Sequence, residues 1–192
     1  MYKLCKTEQS NKRQREIEEV FLNLMLEKHY DDITVSEICD KMNLPRKSFY
    51  RYFDGKEGVK QAILYHTFSD FNIFYITNNS DKSKLYEEFE TLFYFWKGRR
   101  KFLEAFDKSG LLGLVVESAV TFSMKDFNGI QKYMLDANSS SQVFAFQFAV
   151  CGLMTMTVNW YRSGFVETVP NLAKAATQII TRPIFENLSR TE

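Results

Sequence analysis

Apolar residues along the first part of the chain repeat at helical spacing. Ile17, Val20, Phe21 and Leu24 stand at i, i+3, i+4 and i+7, the repeat of a helix with one inward side. Met25 widens that side, and the pattern stops at His29, Tyr30, Asp31 and Asp32. Val35, Ile38, Cys39 and Met42 then repeat the same spacing over a helix of about eight residues. Thr34 precedes this stripe and Glu37 follows three residues later, which reads as a capping box. The Thr34 hydroxyl accepts from the Glu37 amide, and the Glu37 side chain returns the bond. Asn43 tolerates the left-handed backbone of a tight helix end, and Pro45 suits the first turn of a new helix. Phe49 and Phe53, four apart, give that helix, Pro45 to Phe53, its inner side. Asp54 is then expected to cap a longer fourth helix over 55–77, with Glu57 at its third position.

Further on, Asn78 to Lys84 reads as a polar linker. Helices are predicted over 85–97, 101–108, 111–122, 143–161 and 171–180, separated by Ser109-Gly110, Asn128-Gly129 and Ser163-Gly164. Residues 1 to 10 read as a mobile basic arm. With 8 Gly and 3 Pro in 192 residues, a many-turned β fold is disfavoured. The pattern predicts an all-α protein with two parts. Residues 1–60 would form an N-terminal three-helix helix-turn-helix domain with its basic arm, and 61–192 a C-terminal helical bundle. The stretch from Ala137 to Tyr161 holds no charged residue. Asn138, Ser139, Gln147, Thr155 and Asn159 interrupt it, so a buried helix is favoured over a membrane span.

Net charge is +1, so its distribution matters more than its sum. Lys3, Lys6, Lys12, Arg13 and Arg15 face only Glu8. Arg46, Lys47, Arg51, Lys56 and Lys60 face only Asp54 and Glu57, and the segment between is acidic. Cys5, Cys39 and Cys151 lack metal spacing and are odd in number, which argues against a disulfide framework and for a reducing compartment. His29 and His66 are too separated to suggest a metal site. No Gly-rich phosphate loop, HExxH or nucleophile triad appears, so neither enzyme activity nor a cofactor is expected. The opening MYKLCKTEQSNKR has no apolar run, and a cytoplasmic protein is expected.

Two short helices joined by a tight turn make a DNA-binding helix-turn-helix, whose second helix enters the major groove. That helix here is PRKSFYRYF. Opposite Phe49 and Phe53 it offers Arg46, Lys47, Ser48, Tyr50, Arg51 and Tyr52, a donor-rich and acid-free surface suited to phosphates. Singly, each of these residues is an ordinary surface or core-edge side chain; the spacing behind the Thr34 cap is what argues for DNA.

The run YDDITVSEICDKMNLPRKSFYRYFDGKE, residues 30–57, resembles the N-terminal domain of TetR/AcrR-family regulators. The resemblance covers about the first third of the chain. It implies that Tyr50, Tyr52, Lys56 and Thr34 contact phosphates, while Ser36, Arg46 and Lys47 occupy base-reading positions. Two residues depart from the family pattern. Lys47 stands where Gly is common, and Tyr52 stands where His is common. The resemblance also implies a homodimer on double-stranded operator DNA, formed by the last two long helices, about 143–161 and 171–188. It further implies a transcriptional regulator, a repressor released by a small-molecule effector. An apolar pocket between helices would suit an apolar or aromatic effector. Phe93, Trp96, Phe106, Phe122 and Phe148 are candidate walls, and Glu117, Gln147 and Asn159 candidate anchors. Two alternatives keep other functions open: a helical protein-binding adaptor without operator binding, and a membrane protein anchored through 143–161.

Overall fold

Short polar side chains and left-handed residues decide where the helices start and stop. The computed structural model describes residues 7–79, 84–125 and 140–182. Among these are nine α-helices and one 3-10 turn, with no strand. They are α1 (Glu8–Glu27), the turn Tyr30–Asp32, α2 (Val35–Lys41), α3 (Arg46–Phe49), α4 (Lys56–Asn79), α5 (Leu85–Lys97), α6 (Arg100–Lys108), α7 (Leu112–Lys125), α8 (Ser140–Arg162) and α9 (Val169–Thr181).

The Thr7 hydroxyl accepts the Ser10 amide at 3.2 Å and opens α1. Helix therefore begins inside the segment expected as an arm up to residue 10; residues 1–6 lie outside the described residues. Thr34 accepts the Glu37 amide at 3.3 Å, but the Glu37 carboxylate does not complete the box. It pairs with Lys28 at 2.5 Å, which a charged partner favours over a neutral amide. α2 ends in a Schellman motif. Asn43 sits at φ 47, the Leu44 amide donates to the Cys39 carbonyl at 2.9 Å, and the Asn43 amide donates to the Asp40 carbonyl at 3.1 Å. The Gly55 carbonyl accepts the Val59 amide at 3.3 Å, so Gly55, not Asp54, holds the cap position of α4. α9 opens on Thr168, whose hydroxyl accepts the Asn171 amide, with Pro170 in its first turn.

The chain divides into two units: Met1–Thr67 with Lys101–Val115, and Phe68–Arg100 with Val116–Glu192. The first unit therefore takes in α6 as well as the helix-turn-helix. Its core is built from Ile17, Phe21, Leu24 and Met25 of α1, Ile38 and Cys39 of α2, Phe49, Phe53, Val59 and Ile63, and Phe102, Leu103 and Phe106 of α6, all buried. Polar bonds tie α6 in: Ser109 accepts the Tyr30 amide at 3.2 Å, and Lys108 donates to the Leu26 carbonyl at 3.0 Å. His66 and Glu18 meet at 2.8 Å, both largely buried.

In the second unit α5 packs on α9 and α8. Phe89 and Phe93 meet Leu153, Trp160, Val169, Ala173 and Ala176. The Trp160 indole donates to the Glu167 carbonyl at 2.8 Å. A second aromatic group gathers Phe68, Phe71, Phe95, Trp96 and Phe122. The charge-free stretch forms α8, but the helix is not buried along its length. Its buried residues are Leu153, Met154, Thr157, Val158 and Trp160, while Phe144 and Phe148 are 67% and 65% exposed. Absence of charge reflects the low polarity of a helix surface, which a core can satisfy and so can another chain.

Candidate nucleic-acid interface

The helix-turn-helix is positioned by its apolar residues. Phe49 and Phe53 have no exposed surface and stack 5.7 Å apart. That fixes which side of α3 faces out. Regular helix covers only Arg46–Phe49, shorter than the Pro45–Phe53 expected. The chain then continues in hydrogen-bonded turns, Tyr52 donating to the Phe49 carbonyl at 2.9 Å and Phe53 to the same carbonyl at 3.2 Å. The turn brings Phe53 into the core just ahead of Gly55, whose φ of 155 suits only glycine comfortably.

On the outer side, Arg46, Lys47, Tyr50 and Arg51 are exposed, and Ser48 and Tyr52 half-buried. Tyr50 is 48% exposed, with its ring edge-on to Phe49 at 5.5 Å. The Arg46 guanidinium donates to the Ser36 hydroxyl, which joins two of the base-reading candidates from different helices. Thr34 is exposed, and its hydroxyl serves as the cap of α2.

Lys56 is held differently. Its ammonium donates to the carbonyls of Tyr30 at 3.0 Å and Asp31 at 2.8 Å and lies 4.7 Å from the Tyr30 ring centre. Lys60 covers the same ring at 4.6 Å and pairs with Glu57 at 2.9 Å. The Tyr30 hydroxyl donates to Glu57 at 2.7 Å. Burial, then the Glu57 hydrogen bond, push the Tyr30 phenol well above its ordinary value. Burial alone would raise the Glu57 carboxyl, but hydrogen bonds from Tyr30 and Lys60 outweigh it and hold it below the usual range. The start of α4 is thus locked to the turn before α2 by a compact charged knot. The sequence reading had treated Tyr30 only as the opening of a pattern.

The second unit holds a cavity of about 380 Å³. Of the residues proposed for an effector pocket, Trp96 and Phe122 line it. Phe93 is buried in the neighbouring α5–α8–α9 core, and Phe106 is buried in the first unit. Glu117, Phe148 and Asn159 are exposed and Gln147 half-buried, none of them at the cavity. Its polar lining is instead Tyr75, Glu88, Ser123 and Gln142. A signal for Glu88 existed: Leu85, Glu88, Phe89 and Leu92 fall at i, i+3, i+4 and i+7, an acid inside an apolar stripe. Among the described residues no group of His, Cys, Asp and Glu is arranged to hold a metal ion.

Residues 21–63 match the family of bacterial regulatory proteins, tetR family. No curated protein matches the chain. Solved structures share its fold. The fatty acid degradation regulator FadR of Bacillus halodurans is 16% identical with a TM-score of 0.59, over 89% of this chain and 95% of that one. FadR of Bacillus subtilis, in complex with stearoyl-CoA, is 15% identical with a TM-score of 0.57, over 86% and 96%. A TetR/AcrR-family regulator of Thermobifida fusca is 16% identical with a TM-score of 0.50, over 90% and 98%.

Proposed function

The first third of the chain carries the DNA-binding domain of tetR-family regulators, and from that premise we propose that the protein binds a specific operator as a homodimer and represses transcription until a small molecule releases it. The observation that carries the DNA half is the sidedness of α3 and the turn after it. Phe49 and Phe53 are wholly buried while Arg46, Lys47, Tyr50 and Arg51 face solvent. Phosphate contacts by Tyr50, Tyr52 and Lys47 would set register, and Arg46 with Ser36 would read base edges. Lys56 is spent on the Tyr30 and Asp31 carbonyls; its part is to orient the start of α4, unless DNA draws it outward. Dimerisation through the exposed apolar side of α8, together with α9, would set two recognition helices about 34–36 Å apart, one turn of duplex.

The effector half is supported by the cavity and by the FadR structure with stearoyl-CoA among proteins of this fold. The reading places the protein in the cytoplasm, where operator DNA is found. Fluorescence anisotropy with duplexes covering the regions beside its own gene tests the DNA half. Binding should tighten on one duplex and fall steeply with added salt, because lysine and arginine contacts release counterions. Binding that is absent, or independent of salt and sequence, overturns the reading and favours an adaptor.

A further inference from the structure

The cavity of the second unit has a chemical bias that its shape alone does not convey. Its walls are chiefly aromatic and aliphatic, with Phe71, Trp96, Phe122 and Phe146 among them, and it is lined by no lysine, arginine or histidine. One acid lines it. Glu88 is 5% exposed, and its carboxyl accepts the Tyr75 hydroxyl at 2.7 Å in a buried bond. Tyr75 lines the same cavity. A carboxylate can accept about four hydrogen bonds, so the tyrosine bond orients the group without saturating what a carboxylate can take. A buried carboxylate among apolar groups attracts a cation and repels an anion, because little solvent screens it. Aromatic faces add attraction for a cation through their negative π clouds.

We propose that the ligand of this cavity is an apolar or aromatic cation, with its charged nitrogen at Glu88 and its hydrocarbon part against Trp96 and Phe122. This rests on the effector reading above and narrows it. It sets the protein apart from a fold relative solved with an anionic acyl-CoA, since a carboxylate or phosphate head would find no cationic partner on these walls.

A matched set of probes tests it on the full-length protein: decylammonium, decanol and decanoate at neutral pH. Binding is followed by calorimetry and by fluorescence of Trp96, and release from operator DNA is measured separately. The expected order is decylammonium tightest, decanol weaker by about tenfold or more, and decanoate weakest, from the strength of a charge-assisted bond. The wild-type ranking needs no variant. In Glu88→Gln the advantage of decylammonium over decanol should vanish while decanol binding is unchanged, which also reports an intact cavity. If decanol or decanoate equals decylammonium on the wild type, or the advantage survives Glu88→Gln, the cationic assignment is overturned and the effector reading stands. If decylammonium binds through Glu88 but no operator release follows, the site is upheld and effector control fails. If no probe binds, both fall.

Discussion

Arg46 carries the sharpest residue-scale consequence. Its planar guanidinium, steadied by the Ser36 hydroxyl, is suited to a two-point bond with guanine. Arg46→Ala should cost about 1–3 kcal/mol of discrimination between the operator and single-base variants at one position. Arg46→Lys should not restore it, since an ammonium lacks the fork. Anisotropy titrations against a set of substituted duplexes read this directly, and an even loss across all duplexes would reassign Arg46 to phosphate. Glu57 makes a pH-dependent statement. Its carboxyl is held below the usual range despite burial, by Tyr30 and Lys60. A group lowered in the folded state stabilises it above the unfolded value, and that stabilisation disappears as pH falls through the folded value. Urea unfolding at neutral pH should therefore show the full contribution, and between about pH 5 and pH 3 it should decline. Glu57→Gln should flatten that acid limb, and an unchanged limb would show the knot contributes nothing.

At the scale of elements, the turn between α2 and α3 is the tightest constraint on the interface. Asn43 at φ 47 closes it. Asn43→Gly should leave stability and DNA binding near the starting values, whereas Asn43→Val should destabilise by roughly 1–2 kcal/mol because a branched side chain resists that backbone. Denaturant midpoints of the two variants decide it. The same turn shows what was legible beforehand. Asn43, Pro45 and the Phe49–Phe53 pair announce a helix end, a helix start and an inner side through rules acting within a few residues. The shortness of α3 was not legible, because it depends on Phe53 being drawn into a core supplied partly by α6, far along the chain. The unreturned capping bond of Glu37 has the same origin: Lys28 becomes its neighbour only after folding. In the cavity, aromatic content pointed to Trp96 and Phe122, but Phe93 and Phe106 are equally aromatic and serve cores. Glu88 showed as an acid in an apolar stripe, while its partner Tyr75 sits on another helix that no local rule connects to it.

For the whole molecule, the exposed side of α8 matters most. Phe144 and Phe148, one helical turn apart and about two-thirds exposed, are unusual on a protein that stands alone in water. If they belong to the dimer interface proposed above, Phe144→Glu with Phe148→Glu should convert dimer to monomer without loss of helical content. Operator affinity should fall at least tenfold, since each monomer then binds one half-site. Sedimentation velocity and circular dichroism check the two halves of this outcome, and a persistent dimer would move the interface elsewhere. Composition revealed this surface only as missing charge; whether such a helix meets a core or a partner is decided by the rest of the fold.

Cys39 lies beneath the recognition turn, 3% exposed, and burial raises its thiol above the ordinary value. Cys151 is exposed. With Cys5 and Cys151 replaced by serine, a thiol reagent would meet only the sealed sulfur and react when the α2–α3 segment lifts. Labelling then becomes a stopwatch for how often the DNA-reading surface comes apart. Operator duplex bound to it should slow the clock in proportion to its occupancy.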